Sequence, residues 1–222
     1  MNNRLLRSMK LNQRYLQKLK TRTTLIQAAL ELMGEEKGLG ELSLREVAGE
    51  AGIVPAAFYR HFKNMEELGL AVVDDMGGKL RIILRDARKS GAYRAALRGS
   101  LDLFFGYVNK NRLLFRFLSR EKTGGNKRIR KAIRIEMSFI ASELAADMRM
   151  PKSIPFSDIE FVSEMIVSNA FNMSNEYLDA EKNDEKELRR IKIKTLKQLR
   201  LIFIGGIRAK RIKRKKGGSP NP

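Results

Sequence analysis

The sequence predicts an all-α protein of nine helices, with an N-terminal three-helix helix-turn-helix unit followed by a larger helical domain. Three observations carry this. From Ala92 onward the apolar residues recur at helical spacing, with no convincing strand pattern. Residues 42–63, LSLREVAGEAGIVPAAFYRHFK, read as two short helices joined by a glycine turn. Cysteine is absent, so no disulfide framework can stand in for a packed helical core.

The first helix is expected over residues 20–33, with Leu25, Ile26, Ala29, Leu32 and Met33 on its core face; ahead of it, Leu5, Met9, Leu16 and Leu19 form only a loose stripe. Gly34 to Gly40 reads as a turn, because a phosphate-cradling loop would need a preceding strand and a Lys-Ser/Thr ending. In the second helix Ser43 is the N-cap, Glu46 completes a capping box, and Leu42 and Val47 sit where a hydrophobic staple would. Leu44, Val47, Ala48 and Ala51 mark its buried face, Gly52 supplies the left-handed residue that ends it, and Ile53 plugs the turn. Pro55 suits the first position of the third helix. Phe58 and Phe62, four apart, stack on one side and leave Ala56, Ala57, Tyr59, Arg60, His61 and Lys63 outward. Val54 holds the N-cap place of this helix without an acceptor, so a cap contribution of about 1 kcal/mol is missing.

The fourth helix is expected over 64–89, with Asn64 and Glu67 as capping partners and Gly77-Gly78 as an interruption where it can bend. Leu97, Leu101, Phe104, Phe105 and Val108 stripe the fifth; the sixth, 113–118, is apolar nearly all round and so reads as buried. Gly124-Gly125 precedes a seventh helix striped by Ile129, Ile133, Met137, Ile140, Leu144 and Met148, which Pro151 and Pro155 end. The eighth, 157–178, turns Ile159, Val162, Met165, Ile166 and Met173 inward, and the ninth, 184–204, uses Leu188, Ile191, Leu196, Leu199 and Phe203. The expected domains are a basic extension at 1–19, the helix-turn-helix unit at 20–65, the larger domain at 66–204 and a basic tail at 205–222.

Composition narrows the function. The 222 residues are 43% hydrophobic, enough for a core. No apolar run approaches the roughly 18 to 20 residues of a membrane span, and no secretory signal opens the chain, so a cytoplasmic location is the simplest reading. With no cysteine and a single histidine, thiol chemistry, histidine metal sites and charge-relay catalysis are set aside. The paired acids Asp74-Asp75 diverge by about 100° on a helix and do not converge on a substrate. No enzyme activity and no cofactor are expected. The net charge of +20 is concentrated at the ends: residues 1–22 and 205–222 each hold seven basic groups and no acid, leaving +6 for the body. Such tails attract a polyanion without reading its sequence, or serve as solubilising ends.

The motif resembles the helix-turn-helix of the TetR family of one-component repressors. That signature combines an Arg in the first motif helix, an Ala-Gly-Ile or Ala-Gly-Val turn and a Phe-Tyr-x-His-Phe ending; here these are Arg45, Ala51-Gly52-Ile53 and Phe58-Tyr59-Arg60-His61-Phe62. The departure is Val54, where the family often has Ser or Thr. The resemblance implies a DNA-binding transcriptional regulator, a fourth helix linking the DNA-binding unit to the rest, and a homodimer through the last two helices. Two recognition helices one DNA turn apart would then read a palindromic operator in double-stranded DNA.

On that resemblance Thr23 and Thr24, at the expected start of the first helix, meet a phosphate, with Ser43 and Pro55 at the starts of the motif helices. Arg45 reaches a phosphate or a guanine edge, Ala56 and Ala57 bring the backbone close to the bases, and Tyr59 bonds phosphate or brushes a base. Arg60, His61 and Lys63 act as phosphate clamps; for His61 the alternative is a core histidine capping a turn.

Asn64 to Gly77 and the run Phe115-Arg116-Phe117-Leu118-Ser119-Arg120-Glu121-Lys122-Thr123-Gly124 are similar to the branch of TetR repressors that controls unsaturated fatty-acid biosynthesis. That similarity implies a lipophilic effector, a long-chain acyl thioester of coenzyme A or acyl carrier protein. Phe104, Phe105, Phe115, Phe117, Met137 and Ile140 would enclose the chain, with Arg116, Arg120 and Lys122, beside Lys127 and Arg128, near phosphates at the mouth. Equally, the apolar residues fill a core and the basic ones form a solvated face. Two other readings stand beside this one: a regulator answering another lipophilic ligand, and a basic membrane-surface protein whose tails bind anionic lipid.

Overall fold

A computed structural model describes residues 3–34, 37–88, 93–148, 153–181 and 184–215. Among them there are nine α-helices, one turn of 3-10 helix and no strand, in agreement with the all-α expectation. The helices are α1 Asn3–Met33, α2 Leu44–Glu50, α3 Pro55–Phe58, α4 Met65–Arg88, α5 Tyr93–Lys110, α6 Arg112–Thr123, α7 Lys127–Asp147, α8 Phe156–Asp179 and α9 Glu185–Lys215.

Four elements differ from their sequence expectation. Helix α1 begins near the N-terminus, not at residue 20, because no glycine or proline occurs before Gly34 and its Leu, Arg, Lys and Gln residues are strong helix formers. Helix α4 runs unbroken through Gly77-Gly78. Helix α6 is twice as long as expected and one-sided: Leu114, Phe115, Phe117, Leu118 and Glu121 are buried while its remaining positions are partly or fully exposed. Helix α9 continues to Lys215, taking in part of the expected C-terminal tail; residues 216–222 of that tail lie outside the described residues. On α8, Met165, expected inward, is 44% exposed.

The chain forms two compact units, residues 1–74 with 116–132 and residues 75–115 with 133–222. Helices α4, α6 and α7 each contribute to both. In the first unit α1 packs on α2 and α2 on α3, around Leu25, Ala29, Met33, Val47, Phe58, Phe62 and Leu68. A Cβ on Gly69 would stand 2.6 Å from terminal carbons of both Leu39 and Ile129, so any larger residue there would force both side chains to shift. In the second unit α8 and α9 pair, and α5 packs on both. A Cβ on Gly206 would collide with Val162, which marks the close crossing of α9 and α8. An aromatic cluster consolidates this core: Phe105 faces Tyr177 at 4.7 Å between centroids, and Phe104 meets Phe115 edge-on at 5.8 Å.

Candidate nucleic-acid interface and effector cavity

The two motif helices are built by short-range hydrogen bonds that the sequence specifies. At the start of α2, Glu46 N donates to Ser43 Oγ at 3.2 Å and Ser43 N donates to the Glu46 carboxylate at 2.7 Å. These bonds, the Ser43 side chain first, hold the Glu46 carboxyl below the usual carboxylate range. At its end Gly52 has φ +66°, Gly52 N donates to Gly49 O at 3.0 Å and Ile53 N to Ala48 O at 2.9 Å, a Schellman motif. Helix α3 starts at Pro55 with no side-chain bond from its N-cap Val54, as valine dictates. It is a single α-turn; the chain continues through tighter turns to Phe62, with His61 N donating to Phe58 O at 2.8 Å. Phe58 and Phe62 are fully buried, their rings 5.7 Å apart. Lys63 N and the Glu67 carboxylate, with Glu67 N and Asn64 Oδ1, form a reciprocal cap at the start of α4.

This scaffold exposes Ser43, Arg45, Pro55, Ala56, Tyr59, Arg60 and Lys63, with Ala57 and His61 half-buried. A short helix end with small residues leading and hydrogen-bonding residues following fits a DNA groove flanked by phosphates. Thr23 and Thr24 are exposed but lie mid-helix: their hydroxyls donate to Leu19 O and Lys20 O within α1. The expected helix start at these residues is therefore corrected, and their amides sit inside the helical ladder. His61 Nδ1 is enclosed without a hydrogen-bond partner. Desolvation, and then the positive charges of Lys18, Arg22 and Arg60, hold its imidazole below the ordinary histidine range. Arg22 was missed by sequence reasoning as a motif residue. It donates to His61 O at 3.4 Å and lies 4.4 Å over the Phe62 ring, tying α1 to the end of the motif. That contact spans thirty-nine residues, so no local pattern announces it.

The second unit encloses a cavity of about 650 Å³. Helix α4 lends it Met76, Leu80 and Leu84; α5 lends Leu97, Leu101 and Phe104; α7 lends Ile133, Met137, Ile140 and Leu144; α8 and α9 lend Ile166, Phe171 and Leu199. Its polar lining is confined to Arg85, Ser100, Glu136 and Asp147. Arg81 pairs closely with Glu136 and also reaches Glu143 at 3.8 Å, while Arg85 bonds Glu143 at 3.0 Å, so ion pairs join α4 to α7 beside the cavity. Of the residues expected around an effector, Phe104, Met137 and Ile140 line it. Phe105 and Phe115 are fully buried in the aromatic cluster beside it.

Phe117, Arg116, Arg120 and Lys122 belong to the first unit and are not among the lining residues. Phe117 is buried there, and Arg120 donates to Lys37 O at 2.6 Å. Burial pulls the Lys122 ammonium below the usual lysine range. Nearby, Glu66 accepts from Asn126 at 2.7 Å and from the Arg128 guanidinium at 2.5 Å. The lining residues of α4 and α8 were not singled out from the sequence, because periodicity shows which face turns inward and not whether the space inside is filled.

The family model for bacterial regulatory proteins of the tetR family matches residues 25–72, the unit that carries the motif. The tetracyclin repressor-like C-terminal domain model matches residues 93–205, half of the chain. The chain belongs to the TetR family. TetR-family proteins are DNA-binding transcriptional regulators with small-molecule effectors and are not enzymes. Solved structures with the same TetR fold include the fatty acid degradation regulator FadR from Bacillus halodurans, at TM-score 0.67 and 14% identity, covering 81% of this chain and 94% of that one. FadR from Bacillus subtilis in complex with stearoyl-CoA matches at TM-score 0.66 and 18% identity, over 80% and 96%. A TetR-type regulator from Aquifex aeolicus matches at 0.62 and 21%, over 82% and 99%. No helix among the described residues of this TetR protein is long and apolar enough to cross a membrane.

Proposed function

We propose that this TetR-family regulator is a homodimeric repressor of fatty-acid or lipid metabolism genes, reading a palindromic operator and controlled by a long-chain acyl thioester. The observation that carries the effector reading is the cavity. Its volume of about 650 Å³ falls inside the usual range for small-molecule sites, and its walls are aliphatic and aromatic side chains from five helices. An apolar chain is the ligand such a lining favours, and the stearoyl-CoA complex of one structural neighbour is consistent with it. Exposed Phe161, Met165, Ile193 and Leu201 on α8 and α9 support a dimer through those helices. The Ser43 to Lys63 surface, including Thr23 and Thr24 on α1, is the DNA-contacting part of the proposal.

Control would run through α4, which gives Met76, Leu80 and Leu84 to the cavity wall and its first ten residues to the motif-bearing unit. A ligand shifts the regulator only by its differential affinity for the DNA-binding and non-binding shapes. One observation favours a second reading. The lining holds a single basic residue, Arg85, and it is paired with Glu143, so the cavity suits a lipophilic effector without a phosphate group as well.

Duplexes selected from a random pool supply the operator, and fluorescence anisotropy on that duplex measures DNA affinity. Palmitoyl- and oleoyl-CoA are expected to change the affinity at least tenfold, and Ala170→Phe, which narrows the cavity, to weaken the response while leaving DNA binding intact. An effect of free fatty acids or other amphiphiles with none from acyl thioesters would select the second reading. Recovery of no enriched sequence would overturn the operator reading.

A further inference from the structure

Helix α1 extends well ahead of the stretch matched by the family model, which begins at residue 25. Its basic residues are not scattered. Arg14, Lys18 and Arg22 recur four apart, so on the helix they fall within an arc of about 80°. No acid occurs before Glu31 to neutralise them. The azimuth of this stripe is fixed by its last member: Arg22 lies over the Phe62 ring and donates to His61 O, at the end of the motif. Arg14 and Lys18 are exposed on the same stripe, and Lys18 is near enough to His61 to act on its titration.

We propose that this face of α1 is a second, sequence-independent DNA contact that grips phosphates outside the operator half-site. The inference rests on the DNA-binding reading of the motif and adds a partner surface to it. From Arg14 to Arg22 the helix rises about 12 Å at 1.5 Å per residue. With one phosphate per about 3.4 Å of each strand, that reach covers roughly three to four base pairs of flank. A helix presents its charges in a fixed row, so the stripe loses less freedom on binding than a disordered arm would. A duplex is favoured over an anionic membrane because the stripe runs into the motif through Arg22, while the opposite side of α1 carries exposed Leu16 and Leu19.

The test compares the full chain with the double variant Arg14→Gln/Lys18→Gln and with Lys186→Gln, which removes an exposed charge from α9. Binding is measured between 50 and 200 mM salt on the selected operator with no flank or with flanks of fifteen base pairs. On the long flank, the double variant is expected to lose about 0.9 from the salt slope per lost phosphate contact, roughly a tenfold smaller salt effect per chain. Its discrimination against a scrambled operator stays unchanged, and on the operator without a flank it matches the full chain. Lys186→Gln keeps the full slope. Equal slopes for all three proteins, with operator binding retained, would overturn the proposal and leave the motif reading standing. Loss of binding to phosphatidylglycerol vesicles in the double variant, with its duplex slope unchanged, would assign the stripe to a membrane surface instead. A full chain that binds no duplex would overturn the motif reading and this one together.

Discussion

Gly77 and Gly78 are adjacent on α4, yet alanine is expected to act on them with opposite signs. At Gly78 a Cβ meets no atom within 4 Å, so Gly78→Ala should gain the helix preference of alanine, about 1 kcal/mol. At Gly77 the Cβ would lie 2.8 Å from Glu136 Cγ and closer still to its carboxylate. Glu136 is only 9% exposed and pairs with Arg81, so it cannot withdraw into water without breaking that pair. Breaking a buried pair costs about 3–5 kcal/mol, and the lower end applies because Arg81 keeps Glu143 at 3.8 Å. Setting this against the same helix gain leaves Gly77→Ala destabilised by about 2 kcal/mol. For a chain of this size, about 2–4 °C accompanies each kcal/mol, so its Tm should fall by roughly 4–8 °C while that of Gly78→Ala rises by roughly 2–4 °C. Thermal unfolding followed by far-ultraviolet circular dichroism reads both. In a Glu136→Ala background, adding Gly77→Ala should become stabilising. If Gly77→Ala and Gly78→Ala rise together in the native background, Glu136 does not lie against Gly77 of α4.

Other consequences are open to measurement. Val54→Ser should restore a capping acceptor and add about 1 kcal/mol, since Val54 is 68% exposed and gives up little burial; urea denaturation reads the gain. Gly52→Ala keeps open space around its Cβ but must hold φ +66°, so it should lose about 1–2 kcal/mol through the backbone alone. The imidazole of His61 is held below its ordinary pKa of 6.5, so the unfolded chain takes up the proton first as pH falls. The stability this histidine contributes is present above about pH 6.5 and is lost as pH falls toward the lower folded value; urea midpoints between pH 7.5 and 5 should decline, and His61→Gln should flatten that decline.

Local chemistry made much of this molecule legible. Ser43 with Glu46, Gly52 and Pro55 specify caps, a turn and a helix start through groups within a few residues, and the structure realises each of them. Phe58 and Phe62 were readable as a stacked pair because a turn brings residues four apart onto one side. Legibility failed where the deciding partner is distant. Gly77 reads as a weak point in isolation, yet Glu136, from α7, gives it a packing reason and the helix continues. Arg22 reads as one charge of a basic tail until Phe62 is found beneath it. Arg116, Arg120 and Lys122 read as one basic cluster, but it took tertiary placement to show Arg120 donating to Lys37 O.

By itself, the sequence determined the helical class, the helix-turn-helix and its missing cap at Val54, because hydrogen bonds and periodicity of short range need no distant partner. Only the tertiary structure decided which inward-facing residues surround empty space. Met76, Leu80, Ala170 and Phe171 look like ordinary core residues along the chain. They line a cavity because helices α4, α5, α7, α8 and α9 meet without filling the space between them, a property of their joint packing that no single helix encodes.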